Sequence, residues 1–277
     1  MKKMITTLKT LIGAFIEFLL NIYINRAMLW KMTKRDFKSA YLGSYLGIIW
    51  SFIHPIVTTL ILWIVFQFGF KSGSVKGAPF VLWLICGLYP WFFFAEALMN
   101  ATESVRQYEF LVKKVVFRVS FLPLIKIISS MLIHFFFIFV ILCGMAAYRI
   151  LPDIHLIQIC YYLVCQIIFL TGLGWLAASI NIFLKDTGQF IAVLISIGFW
   201  ATPILWDLNM VPERFRIFIK LNPVFYIING YRESFLHHVW FWHHWQWTVY
   251  FWSIACILFV VGALIFNRLR IHFADVL

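Results

Sequence analysis

Charge is scarce in this chain. Of its 277 residues 12% are charged and 63% are hydrophobic, whereas a soluble domain carries roughly 25% charged residues and under about half apolar ones. Too few polar side chains remain to cover a water-facing surface, so a soluble fold is excluded and the solvent is lipid. The signatures of soluble chemistry are missing as well. There is no GxxxxGK[ST] loop to cradle nucleotide phosphates, no HExxH, no GxSxG and no zinc-spaced cysteine set. The chain therefore cannot hold ATP in a phosphate loop of its own. The cysteines, Cys86, Cys143, Cys160, Cys165 and Cys256, all fall in apolar stretches, where thiols act as small hydrophobes, and no disulfide framework is expected. Acidic residues are few too: 11 Asp and Glu against 23 Lys and Arg, a formal charge of +12. In a membrane protein this excess orients the chain and attracts anionic headgroups, so a nucleic-acid partner is not expected.

What is abundant is aromatic. The 31 Phe, 13 Trp and 11 Tyr exceed what lipid-facing helices need. Some belong to interfacial belts, and the rest suggest an aromatic-lined interior. A span needs about 20 apolar residues, and six apolar stretches meet that need, at approximately 46–68, 80–100, 127–147, 157–182, 189–206 and 247–266. The fold class expected is all-α, a polytopic bundle of six transmembrane helices. Pro55 should kink the first, because proline removes a backbone donor. Residues 1–45 form a separate basic region, expected to be an amphipathic helix in the membrane interface with Phe37, Tyr41 and Tyr45 four apart; 46–277 form the transmembrane domain. Apolar and polar residues alternate near the start, and no signal peptide is read there. With the N-terminus inside, inside segments hold 16 basic residues and outside segments seven, which predicts cytoplasmic N- and C-termini.

Two connections are unusual. Residues 101–126 are too long for a turn and read as a charged helix suited to docking. Residues 203–245 combine Pro203, Pro212 and Pro223 with apolar pieces too short to cross; such pieces behave as re-entrant or interfacial segments, tolerated at membrane depth only where protein covers them. Within the spans ionisable groups are nearly absent. Glu96 and Glu103 lie at one helix end, with His54 and His134 elsewhere, fewer than a proton-coupled carrier wants. HHVWFWHHW, with His237, His238, His243 and His244, fits an aromatic belt, and no metal site is assigned. A membrane transferase would have to use that cluster together with Glu96. Gly172, Gly174, Ala177 and Ala178 form a small-residue face for close helix packing.

These stretches together resemble the membrane subunit of ABC-2 type polysaccharide exporters. The matching runs are YLGSYLGIIWSFIHP (41–55), CGLYPWFFFAEAL (86–98), KKVVFRVSFLPL (113–124), LKDTGQF (184–190), ATPILW (201–206) and LNPVFYIINGYRESF (221–235). FVLWLICGLYPWFFF (80–94) looks most like the wall teichoic acid permeases. Arg118 stands where a proline is expected, Lys185-Asp186 where Arg-Asp is, and Thr202-Pro203 where Ser-Pro is. The resemblance implies a half-transporter in a bacterial plasma membrane. Two copies would pair, with two copies of a separate ATPase beneath, which would bind ATP and Mg; no cofactor is expected in this chain. It implies a coupling helix at about 103–118, carrying Glu109, Lys113, Lys114 and Arg118, and a second contact at Lys185 and Asp186. It also implies re-entrant helices at the exit, with Arg232 and Glu233 as gate candidates. The cargo would be undecaprenyl-pyrophosphate-linked wall teichoic acid or, alternatively, O-antigen or capsular polysaccharide. Lys31, Lys34, Arg35 and Lys38 would hold the anionic headgroup by charge-assisted hydrogen bonds. Trp50, Phe52, Trp63, Tyr89, Trp91, Phe92, Phe199 and Trp200 are candidates to line the path.

Overall fold

The computed structural model describes residues 20–39, 47, 49–71, 73–113 and 118–277. Lys114, Tyr41, Tyr45 and the boundary between the two expected domains lie outside them. The helices are α1 (Arg26–Ser39), α2 (Ile49–Ile64, prolonged by a π-turn, Val65–Gly69), α3 (Phe80–Gln107), α4 (the single turn Glu109–Val112) and α5 (Phe121–Ala147). They continue with α6 (Gln158–Phe183, behind a 3-10 turn, Ile154–Ile157), α7 (Thr187–Ala201), α8 (Glu213–Lys220), α9 (Pro223–Arg232), α10 (Trp245–Leu269) and the single turn α11 (Phe273–Val276). Apart from one isolated bridge, Val75 with Ala78, no β-structure occurs among the described residues. That bridge closes the turn between α2 and α3. Lys76 and Gly77 both take positive φ, 50° and 82°, the backbone of a tight two-residue reversal.

Five helical stretches are long and apolar enough to cross a membrane: Ile49–Gly69, Phe80–Gln107, Phe121–Ala147, Ile154–Phe183 and Phe241–Val276. The fifth expected span, 189–206, differs. Its helix α7 has 15 residues and rises about 22 Å, short of the roughly 30 Å of a hydrocarbon core. Pro203 follows closely, and the chain from Thr202 to Leu205 leaves the helix and turns into the protein, where all four residues are buried. Pro55 lies inside α2 without interrupting it, and Thr59 Oγ1 donates to the Pro55 carbonyl at 2.7 Å.

α3 is the core helix, packed on α5, α6, α9 and α7; 78% of its apolar window is buried, against 6% for α2 at the periphery. α6 and α10 make the closest crossing. A Cβ on Gly262 would stand 2.2 Å from the Gly172 carbonyl oxygen, and one on Gly172 would stand 2.7 Å from the Phe259 amide nitrogen. Only glycine at both positions lets the two backbones touch, the geometry by which helices gain van der Waals contact where no hydrophobic effect drives association. The small-residue face read from the sequence is therefore a packing surface. Trp175 lies beside this crossing, edge-to-face on Phe259 at 4.9 Å, with its Nε1 donating to the Ser120 carbonyl at 2.9 Å.

Candidate functional site

The long charged connection does not form the helix expected over 103–118. Residues 103–107 are the end of α3, which stops at Tyr108 (φ −110°, ψ 32°), and one turn, α4, follows. The break coincides with a packing contact. The Tyr108 hydroxyl donates to Asp36 Oδ1 of α1, and Lys126 Nζ reaches the same oxygen at 2.6 Å. Burial, and then the bond to Asp36, push the Tyr108 hydroxyl above the usual phenol range. Asp36 and Lys126 are both buried. α1 is thus more than a helix floating at an interface: its inward residues Leu29, Thr33 and Asp36 dock on α5. In the sequence Lys126 is one more cation at the end of the 101–126 connection, and Asp36 is a lone carboxylate in the basic region before the first span. Their separation of 90 positions carries no local signal.

The opposite face of α1 carries Lys31, Lys34, Arg35 and Lys38, all exposed; Lys34 lies over the Trp30 ring at 5.2 Å. Glu109 and Lys113 pair across one turn at 2.6 Å, both about half exposed. Arg118 is exposed beyond that turn rather than on its face. Lys185 and Asp186 are exposed at the corner between α6 and α7. Behind that corner Glu103 of α3 packs against Gly188, where a Cβ would meet its carboxylate oxygen at 2.7 Å. The end of α3, the one-turn α4 and the α6–α7 corner are therefore neighbours at one end of the bundle.

The aromatic candidates do not converge on one surface. Tyr89 and Trp91 are buried in the core, with Tyr89 against Phe137 at 4.6 Å and Trp91 beside Phe199 at 6.0 Å. Phe52, Trp63, Phe92 and Phe199 are half-buried, while Trp50 and Trp200 are exposed. Phe52 is occupied by Phe136 at 4.6 Å. An apolar groove of about 750 Å³ runs between α3, α6 and α7, from Asp186 to Asn222. Of the eight candidates only Trp91 lines it. The sequence shows that α3 is rich in aromatic residues, but not which side of it faces α5 rather than α7.

At the other end the motifs ATPILW and LNPVFYIINGYRESF fold into one unit. Residues 203–245 contain the exposed α8, the mostly buried α9, a π-turn (Glu233–His237) and a 3-10 turn (Phe241–His244). Asn222 caps α9 by accepting from the Val224 amide at 3.0 Å and donates to Thr202 Oγ1 at 2.8 Å. Arg232, at the end of α9 and buried, donates to the Pro203 carbonyl (2.7 Å), the Ile204 carbonyl (2.7 Å) and the Trp83 carbonyl (3.3 Å). Its guanidinium lies 3.6 Å from the Trp83 ring centroid, over Gly87, where a Cβ would come within 2.5 Å of it. Irregular backbone survives away from water only if its carbonyls find donors; here one planar fork supplies them. Glu233 does not pair with Arg232. It accepts from Asn229 at 2.6 Å and faces His244 Nε2 at 3.1 Å. A polar cleft of about 60 Å³ lies against this unit, lined by Lys76, Asp207, Asn229 and Arg232 among others.

A second cluster at the same end joins the α5–α6 loop to the segment after α9. Asp153 Oδ2 lies 2.6 Å from His155 Nδ1 and 3.5 Å from His238 Nδ1. The bond from His155 holds the Asp153 carboxyl below the usual carboxylate range.

Residues 28–236 match the family model described as ABC-2 type transporter. Two curated proteins of Klebsiella pneumoniae, each named O-antigen export system permease protein RfbA, are 30% and 31% identical over 247 residues, spanning 89% of this chain and 93% of theirs. A protein of the same name from Myxococcus xanthus is 24% identical over 225 residues, 80% of this chain and 85% of its own.

Proposed function

The chain belongs to the ABC-2 type transporter family, and on that premise we propose that it is the membrane-spanning subunit of an ATP-driven exporter of lipid-linked polysaccharide of the O-antigen kind. The observation that carries the cargo is the likeness to permeases named for O-antigen export over 89% of the chain. It favours this alternative over wall teichoic acid, which the texture of residues 80–94 suggested. In this reading two copies pair in the plasma membrane with cytoplasmic termini, and two copies of an ATPase supply the nucleotide chemistry that the chain has no phosphate loop to perform. The short α7 completes a sixth crossing together with the segment Thr202–Leu205, and residues 203–245 form the re-entrant exit.

The division of labour follows the geometry. Lys31, Lys34, Arg35 and Lys38 on the free face of α1 attract the pyrophosphate of the carrier lipid, each worth about 1 kcal/mol near an anionic surface. The α3–α4 break and the α6–α7 corner are the surfaces that an ATPase groove would grip, Glu109 with Lys113 at the first and Lys185 with Asp186 at the second. Movement there reaches α1 through Tyr108 and Asp36, and the exit unit through α3 and Trp83. The test is co-purification with the partner ATPase in lipid nanodiscs. O-antigen-bearing lipid should stimulate ATP hydrolysis, and the pair should restore export in a strain lacking its own exporter. Stimulation by lipid-linked teichoic acid alone would return the cargo to that class. Response to neither, or ATP turnover by the single chain, would overturn the reading.

A further inference from the structure

The cluster Asp153, His155 and His238 plays no part in polymer export as described above, and its parts are unusually well placed. Asp153 and His155 come from the α5–α6 loop. Asp153 Oδ1 caps the turn that leads into α6 by accepting from the Ile154 amide at 2.6 Å, which leaves Oδ2 directed at the two imidazoles. His238 reaches them from a position 85 residues later. It adopts the left-handed conformation (φ 53°, ψ 42°), a backbone state uncommon for a non-glycine residue, which its surroundings here hold in place. They do so through Gln158, itself buried. Its Nε2 donates to the Val239 carbonyl at 3.0 Å, and its Oε1 accepts from the Phe241 amide at 2.7 Å. One side-chain amide therefore clamps the strand of chain beside His238 onto the first turn of α6, directly behind Asp153 and His155.

We propose that these three residues form a binding site for a zinc-class divalent cation that staples the α5–α6 loop to the exit segment. The three ligand atoms lie within 4.8 Å of one another. Two imidazole nitrogens and one carboxylate oxygen suit a borderline ion such as Zn²⁺, Co²⁺ or Ni²⁺. A tetrahedral ion with bonds of about 2.0–2.2 Å sets its ligand atoms about 3.4 Å apart. Asp153 and His238 already have that spacing, at 3.5 Å; the 2.6 Å contact between Asp153 and His155 has to open by less than about 1 Å, and the two imidazole nitrogens, within 4.8 Å of each other, have to settle at the same spacing. Three protein ligands leave a fourth position for water or an oxygen of a passing solute. The remaining histidines of HHVWFWHHW do not join: His244 is engaged by Glu233, His237 lines the Arg232 cleft, and His243 lies outside the cluster. His155 is backed by the Trp240 ring at 4.6 Å, an outer contact that fixes its orientation.

The experiment uses the full chain, purified through a tag without histidine, stripped with a chelator and titrated with Zn²⁺ against a colorimetric competitor. Co²⁺ is titrated in parallel for its ligand-field absorption. One equivalent should bind per chain, with a rise in melting temperature, as for any ligand that binds only the folded state. His155→Ala and His238→Ala should each weaken binding at least about 10-fold, Asp153→Asn should abolish the thermal shift, and His272→Ala should change nothing. Absence of stoichiometric binding and of a thermal shift in the unaltered chain overturns the proposal without recourse to any variant. Binding that survives the His155→Ala/His238→Ala double substitution overturns it equally.

Discussion

Arg232 shows how a single side chain decides what its neighbourhood can be. Its three carbonyl partners are 28, 29 and 149 residues away, so the sequence offers only a cation in an apolar run beside Glu233. The geometry makes Arg232 a donor to the Pro203 and Ile204 carbonyls, in backbone that has left the helix, and to the Trp83 carbonyl of α3. Removing it leaves buried carbonyls unsatisfied at about 1–3 kcal/mol each. Arg232→Ala should therefore lower stability by at least about 3 kcal/mol, read as a large fall in melting temperature in detergent. Arg232→Lys should recover only part of that, because an ammonium is a point donor and not a planar fork. Gly87→Val should mimic the loss in milder form by displacing the guanidinium, whose Nη2 would lie 2.5 Å from the new Cβ. If Arg232→Ala melts like the unaltered chain, the exit unit does not depend on this contact.

On the scale of elements, α1 has two faces that answer to different physics. Its basic periodicity was legible in the sequence, since Lys31, Lys34, Arg35 and Lys38 recur at helical spacing, and the structure leaves them exposed. Its docked face was not legible, because Asp36 finds Lys126 and Tyr108 across the fold. Asp36→Ala strands a buried ammonium and should cost about 3 kcal/mol or more. Lys34→Ala with Arg35→Ala should stay within about 0.5 kcal/mol of the parent, while raising the lipid-linked substrate concentration needed for half-maximal ATPase stimulation. The two measurements separate anchoring from headgroup recognition; an unchanged half-saturation point would reduce the basic face to an orientation signal. The α4 turn divides similarly. The Glu109–Lys113 pair is half exposed and worth about 0.3–0.5 kcal/mol, so exchanging the two residues (Glu109→Lys with Lys113→Glu) should leave the fold intact. In the assembled transporter the same exchange should uncouple ATP hydrolysis from export, because it inverts the charge pattern offered to the partner. Full export by that double variant would remove α4 from the coupling surface.

Across the whole molecule, composition was enough to place the chain in lipid, and runs of apolar residues were enough to locate five helices. The remaining expected span, 189–206, was misjudged in length because hydropathy counts residues and not conformation: 202–206 is as apolar as a helix interior, yet it leaves the helix at Pro203, where Arg232 takes up its carbonyls. What holds the long helices together was only partly visible. The Gly172 face announced close packing, but its partner on α10 had to be found in the structure, 90 residues on. That crossing gives the most global test. Gly262→Leu puts a Cβ 2.2 Å from the Gly172 carbonyl oxygen, and because the obstacle is backbone it cannot rotate away; the helices must separate. The displaced α10 would then withdraw Phe259 from Trp175 and Phe251 from Phe169 and Tyr226, so the cost should exceed the roughly 1–3 kcal/mol typical of overpacking. Gly73→Ala, with nothing within 4 Å of the new methyl, is the control for glycine loss alone. Thermal unfolding in nanodiscs should distinguish them by many degrees, and ATPase stimulation should fall with Gly262→Leu even at temperatures where that variant remains folded. Equal melting of the two variants would mean that α6 and α10 do not rely on backbone contact, and that the bundle is held mainly by the aromatic core around α3.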